Sequence, residues 1–351
     1  MISVGYKINP YDPCIANKLI NGKQHTIAWH VDDLKISHVD PKVNDNFIKW
    51  VDQLYGDDEI GRVKATRGKV HDYLGMVLDY TTKGKVIIDM KYYITNMIEQ
   101  YKYPMEAKYK SPAGENLFRT NPKSERLAKE EAEEFHTTVA RALFVSKRAR
   151  PDIQTTIAFL CTRVREPTVE DKKKLHRLMC YLNGTKDDVL VLAADGSYEL
   201  KWYVDAAFAV HPDMRSHTGA IMTMGEGAAQ SKSTKQKINT RSSTESELIA
   251  TDDMISQIIW TQNFLRAQDY PIKRSIVYQD NKSAILLEKN GRASAGKRSR
   301  HLNIKYFFIT DQIEKGNIEV EFCPTDEMIG DFLTKPLHGS KFEKFKNKIM
   351  N

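Results

Sequence analysis

Strand-like and helix-like segments alternate from residue 196 to residue 338, and four acidic side chains fall where those segments end or turn. They are Asp205 at the end of LKWYVDAAF, Glu247 in RSSTESELIA, Asp280 in SIVYQDNKSAI and Asp331 in PTDEMIGDFLTKP. The pattern predicts strands at 198–208, 217–224 and 227–233, then helix 243–267, strand 275–280, helix 281–289, strand 318–322 and helix 325–334. Such alternation favours a sheet with helices packed on it. Carboxylates mounted on rigid elements are what two divalent cations need to hydrolyse a phosphodiester. Magnesium takes a few carboxylates and completes its shell with water and substrate phosphate.

Each position also has a plainer reading. Asp205 alone equally fits the start of a turn. Asp280 precedes a helix and fits an N-cap. Asp331 stands beside Met328, Ile329, Phe332 and Leu333, with Asp326 and Glu327 as competitors. Glu245 competes with Glu247, but Ser242-Ser243-Thr244-Glu245 reads as a capping box in which Glu245 folds back to the Ser242 amide. That leaves Glu247, one turn into the helix, to face any metal.

The first half of the chain reads differently. Asn21-Gly22, between Ala16–Ile20 and Gln24–Trp29, is a hairpin signal. Val31-Asp32-Asp33 sits between two apolar strands, so Asp32 and Asp33 form an acidic turn. Val43, Phe47, Ile48, Val51 and Leu54 then recur at helical spacing. Tyr73–Tyr80 and Lys85–Met90 flank a Lys83-Gly84 turn, and 91–101 returns to helix. Residues 102–125, with three prolines, read as a linker, and 126–185 as helices ending at Asn183-Gly184. Residues 290–300, rich in Lys and Arg, read as a basic loop before a helix at 301–315.

Composition sets outer limits. With 351 residues, 41% of them hydrophobic, the chain holds enough for two or three packed domains. The formal charge of +7 is compatible with a polyanionic partner and does not require one. Basic residues cluster at Lys232, Lys235, Lys237 and Arg241, at 297–300 and at 341–348. Each cluster fits a solvated face, but Lys235, Lys237 and Arg241 are candidates to touch a nucleic-acid backbone. Cys14, Cys161, Cys180 and Cys323 are scattered with no CxxC pair, which fits buried reduced thiols. No apolar run is long enough to span a bilayer, and no Walker loop or HExxH string occurs.

The strings around the four carboxylates resemble those of Ty1/copia-type retrotransposon polyproteins. Arg215-Ser216-His217-Thr218-Gly219 matches RSxTG, and the SSTExE turn, the DN-S-AI strand end and the final DxxTKPL follow in order. The resemblance implies a ribonuclease H-like domain, a mixed five-stranded sheet with flanking helices, at 195–340. It makes Asp205, Glu247, Asp280 and Asp331 the catalytic metal ligands for Mg2+ or Mn2+. VDDL, followed by HDYLGMVLDY and GKVIIDM, resembles the acidic turn and primer-gripping hairpin of a reverse transcriptase palm. It implies a partial palm at 1–101 with Asp32 and Asp33 as polymerase metal ligands, a linker and helical thumb or connection at 102–190, and a basic tail at 341–351.

The fold class implied is thus α+β to α/β. The implied function is cleavage of the RNA strand of an RNA–DNA hybrid, with the rest of a polyprotein as partner and an intracellular location, in a cytoplasmic particle or the nucleus. The alternative is a catalytically silent nucleic-acid-binding remnant. The family's palm needs a further Asp and fingers that would precede Met1, so the expectation is that Asp32 and Asp33 alone do not polymerise. Many ribonucleases H also carry a His shortly before the last Asp. Phe322–Gly330 has none, and His301, the nearest, reads as a packed helix residue.

Overall fold

The computed structural model describes residues 1–57, 61–291 and 303–350. Its first unit is an antiparallel sheet of β1 (Lys7–Asn9), β2 (Asp12–Ile20), β3 (Lys23–His30) and β4 (Asp33–Ser37), in that spatial order. Asn21-Gly22 makes the β2–β3 turn that its sequence predicts. Helix α1 (Pro41–Tyr55), N-capped by the Asp40 side chain, lays Phe47 against Tyr6, Ala16 and Ile27.

The elements that follow are β5 (Val70–Tyr73), β6 (Met76–Asp79), β7 (Lys85–Asp89), α2 (Lys91–Glu99), α3 (Lys129–Ser146), α4 (Gln154–Cys161), α5 (Val169–Gly184) and β8 (Leu190–Ala194). Next come β9 (Glu199–Ala207), β10 (His217–Thr223), β11 (Gly225–Glu226), β12 (Gln230–Lys235) and α6 (Ser243–Ala267). The chain ends with β13 (Arg274–Gln279), α7 (Lys282–Asn290), α8 (Asn303–Glu314), β14 (Glu319–Phe322), a 3-10 helix (Ile329–Leu333) and α9 (Gly339–Met350).

The expected mixed five-stranded sheet is present in the order β12-β10-β9-β13-β14. The first three strands are antiparallel, and β13 and β14 run parallel to β9. Trp202, Val204 and Ala206 on β9 and Ala220 and Met222 on β10 pack with Leu248, Ile249, Ile255 and Ile258 of α6. This is the alternation of a strand whose one face meets a helix.

Several boundaries differ from the sequence reading. The edge strand begins at Gln230, not 227, because Gly227 has φ 74° and its Cα lies so close to the Val191 carbonyl that a Cβ would stand 2.0 Å from that oxygen. Gly225–Glu226 instead pairs with β8, so the second five-stranded sheet, β11-β8-β7-β6-β5, joins the three antiparallel strands of 70–89 to strands near and beyond residue 190. The 102–125 segment carries no regular element, yet Ser111, Ala113, Leu117 and Phe118 are buried.

The expected basic tail at 341–351 is, through Met350, most of helix α9. Its Phe342, Phe345 and Ile349 are buried in one core with residues of α3, α4 and α5, because its apolar positions recur at helical spacing, while Lys344 and Lys348 are exposed and Lys341 and Lys346 pair with Asp331 and Asp188. Packing therefore runs across the expected boundary near 190. Residues 292–302, which include most of the expected basic loop, His301 and the 297–300 cluster, lie outside the described residues.

Candidate metal centre

Asp205 lies near the end of β9, opposite Gly219 of β10, which is opposite Ser233 of β12. Parallel pairing matches Tyr203 with Tyr278. Asp205 and Asp280 each stand two residues beyond that pair, so side chains on one face of adjacent strands point the same way. Glu247 arrives from the start of α6. Ser242 caps this helix by accepting the Glu245 N–H (3.2 Å), and Glu245 Oε2 accepts the Arg241 N–H (2.6 Å). Glu245 thus serves the cap, although its partner is the amide of Arg241 and not the expected amide of Ser242. Asp280 is not an N-cap. Asn281 caps α7 by accepting the Ala284 N–H, while Asp280 accepts the Thr325 hydroxyl at 3.0 Å.

One carboxylate oxygen each from Asp205, Glu247 and Asp280 lies within 4.8 Å of the others, the single such grouping of metal-ligating side chains among the described residues. Glu247 is 5% exposed, and its Oε2 is buried without a hydrogen-bond partner. An unpaired buried carboxylate oxygen is costly unless a cation meets it. The three residues therefore fit a hard divalent cation with oxygen ligands. Burial pushes Asp205 up to about 6, helped by the charges of Asp331 and Asp280 and opposed by Lys335. Burial, with Asp205 and Asp280 close by, also raises Glu247 well above the usual carboxylate range. Such mutual repulsion among buried carboxylates is relieved by a cation.

Asp331 is close but stands apart from this group. It sits in a 3-10 helix where the sequence predicts a longer helix, because the chain turns tightly: the Thr334 and Lys335 N–H groups both donate to the Asp331 carbonyl. Asp331 is buried, whereas its competitors Asp326 and Glu327 are exposed. Its Oδ1 accepts Lys335 Nζ at 2.5 Å and its Oδ2 accepts Lys341 Nζ at 2.9 Å. Lys335 Nζ also lies 3.6 Å from Asp205 Oδ2, and the Thr334 hydroxyl donates to that same oxygen. Thr334 and Lys335 belong to the DxxTKPL string, yet nothing in the sequence assigns them these partners.

Nothing in the sequence singles out Glu288 of α7. It is fully buried, both of its carboxylate oxygens lack hydrogen-bond partners, and burial lifts it to about 8. Its charge contributes to raising Glu247.

Asp32 and Asp33 occupy a separate place. Val31 and Asp32 form the tip between β3 and β4, where His30 pairs with Asp33. Both carboxylates are exposed, and Val31 is held at φ 52°, an unusual conformation for a β-branched residue. Asp33 lies near enough to Tyr73 of the next hairpin to help raise its phenol, after burial. Among the described residues, no third metal-ligating group joins Asp32 and Asp33 at the spacing seen for Asp205, Glu247 and Asp280.

Lys235 ends β12 and pairs with Asp213 at 2.6 Å, while Lys237 and Arg241 are exposed on the loop between β12 and α6. All three lie at the same end of the sheet as Asp205, since Lys235 follows Ser233 by two residues.

Over 345 residues the chain is 26% identical to the retrovirus-related Pol polyprotein from transposon TNT 1-94 of Nicotiana tabacum, covering 96% of this chain and 25% of that protein. It is 23% identical over 341 residues to the transposon Ty1-LR3 Gag-Pol polyprotein of Saccharomyces cerevisiae, covering 94% and 19%. The chain thus spans a quarter or less of the length of these relatives. A solved structure of foamy viral protease-reverse transcriptase in complex with dsDNA aligns at a TM-score of 0.46 and 12% identity, over 88% of this chain and 63% of that one. No family model matches the chain.

Proposed function

We propose, on the premise that this chain is homologous to the Pol polyproteins of Ty1/copia-type retrotransposons, that it hydrolyses the RNA strand of RNA–DNA hybrids at Asp205, Glu247 and Asp280. The observation that carries this reading is the convergence of the three carboxylates within 4.8 Å around an unpartnered, buried Glu247 oxygen. Magnesium or manganese, when bound, would activate water and stabilise the leaving oxygen of the phosphodiester.

The chain's own groups have distinct tasks. Asp205, Glu247 and Asp280 would hold the metal. Thr334 fixes the orientation of one Asp205 oxygen through its hydroxyl. Asp331 shapes the field through its two lysines. Lys237 and Arg241, exposed at the same sheet end, meet backbone phosphates, and Lys235 joins them by exchanging Asp213 for phosphate. Hydroxyl contacts on one strand and deoxyribose on the other distinguish the hybrid from duplex RNA or DNA. In the parent polyprotein, Asp32 and Asp33 would serve the polymerase palm, with the remaining palm and fingers supplied by the rest of that chain, in an intracellular setting.

The test is cleavage of a labelled RNA–DNA hybrid by the purified chain with Mg2+ or Mn2+. Metal-dependent cleavage, lost in Asp280→Asn, supports the proposal. No cleavage by a cooperatively folded chain supports a silent nucleic-acid-binding remnant instead.

A further inference from the structure

Both oxygens of Asp331 are occupied by ammonium groups, Lys335 at 2.5 Å and Lys341 at 2.9 Å. Lys335 does more than neutralise Asp331, because its Nζ also stands 3.6 Å from Asp205 Oδ2. One lysine therefore bridges a residue of the three-carboxylate group and the carboxylate outside it. Charge explains why the arrangement is stable. Four carboxylates against two ammonium groups leave two negative charges, which one divalent ion cancels. A second ion added with Lys335 in place would leave a buried excess of positive charge, which a low-dielectric site opposes strongly. Lys335 is 39% exposed at its side chain, and its long flexible stem can carry the ammonium out to water.

We propose that Lys335 is a built-in cation of the site that competes with a second divalent ion for Asp205 and Asp331. One ion binds at Asp205, Glu247 and Asp280 with Lys335 in place, and a second binds only as Lys335 leaves. This rests on the reading of those three residues as metal ligands.

The experiment is calorimetric titration of the full chain with Mn2+ at pH 7.5, alongside Glu247→Gln, Lys335→Ala and Lys341→Ala, with thermal melts on each. Wild type is expected to bind one ion at least tenfold more tightly than the second. Lys335→Ala should tighten the second ion at least tenfold, and the first, which also gains from the loss of a cation beside Asp205, by a smaller factor. Lys341→Ala, which removes a cation that touches Asp331 but not Asp205, should change the second ion less. Two ions of equal affinity in wild type, or an unchanged second affinity in folded Lys335→Ala, would overturn the proposal. Glu247→Gln separates the two readings: if the first ion binds as tightly without Glu247, the metal-centre assignment itself fails.

Discussion

The Cγ2 of Thr334 lies 2.6 Å from where a Cβ on Gly219 would stand, with the Leu333 carbonyl carbon at 2.9 Å and the Gly330 oxygen at 3.0 Å. Gly219 is the strand position opposite Asp205, so the absence of a side chain there lets the 3-10 helix settle over the sheet and bring the Thr334 hydroxyl to Asp205. Gly219→Ala meets two backbone atoms that have no slack. We expect a stability loss of about 1–3 kcal/mol from overpacking. Metal-dependent hybrid cleavage should fall further than the stability loss accounts for. Thermal melts and cleavage rates on the same preparation check this, and wild-type values for both would refute it.

Glu247 and Glu245 should separate cleanly. Glu247→Gln keeps size but removes a negative ligand, so metal-dependent cleavage should drop by orders of magnitude with the fold intact. The Glu245 carboxylate accepts the Arg241 amide N–H, a bond that Gln also makes, so Glu245→Gln should cost at most about 1 kcal/mol and retain activity. A folded but inactive Glu245→Gln would show that the wrong glutamate has been assigned.

Metal stabilisation should depend on pH in a definite direction. Asp205 is held near 6 when folded against an ordinary value of 3.8, and Glu247 is raised as well. Without metal, the folded state holds these protons more tightly than the unfolded chain. Their contribution therefore favours folding below the ordinary carboxylate range and is lost as pH rises through about 6. Ion binding needs the deprotonated forms, so the rise in melting temperature on adding Mg2+ should be larger at pH 8 than at pH 5. Equal rises at both would contradict the assignment.

Glu288 gives a control within the same helix layer. It sits near 8 when folded against an ordinary 4.5, with burial as the main cause. Its neutral form is tolerated and its charged form is not. Metal-free Glu288→Gln should match wild type within about 1 kcal/mol at pH 5 and be more stable by a few kcal/mol at pH 9. Urea unfolding at the two values reads the difference directly; a Gln variant less stable at pH 9 would mean that a charged Glu288 is stabilised by a partner.

Local pattern marked the three central carboxylates as candidates, and the resemblance of the strings around them supplied their assignment as metal ligands. Strand patterning put Asp205 and Asp280 each at a strand end, and the Ser242 cap set the helical phase that turns Glu247 inward; that the two strands are parallel neighbours, paired 75 residues apart, was decided by the fold. The bounds of α6 and the Asn21-Gly22 turn follow from the same short-range rules. Residues far apart in sequence were decided otherwise. Thr334 meets Asp205 across 129 positions, β7 pairs with β8 about a hundred residues on and so joins the three strands of 70–89 to the later half, and α9 closes a core begun near residue 90. No periodicity encodes such pairings, because they depend on which buried surfaces and charges meet once the sheets have stacked. Lys335 shows the difference most directly. Its sequence marks only a lysine four residues after Asp331, while the fold puts its charge beside Asp205, where burial makes an unbalanced carboxylate costly enough to hold it.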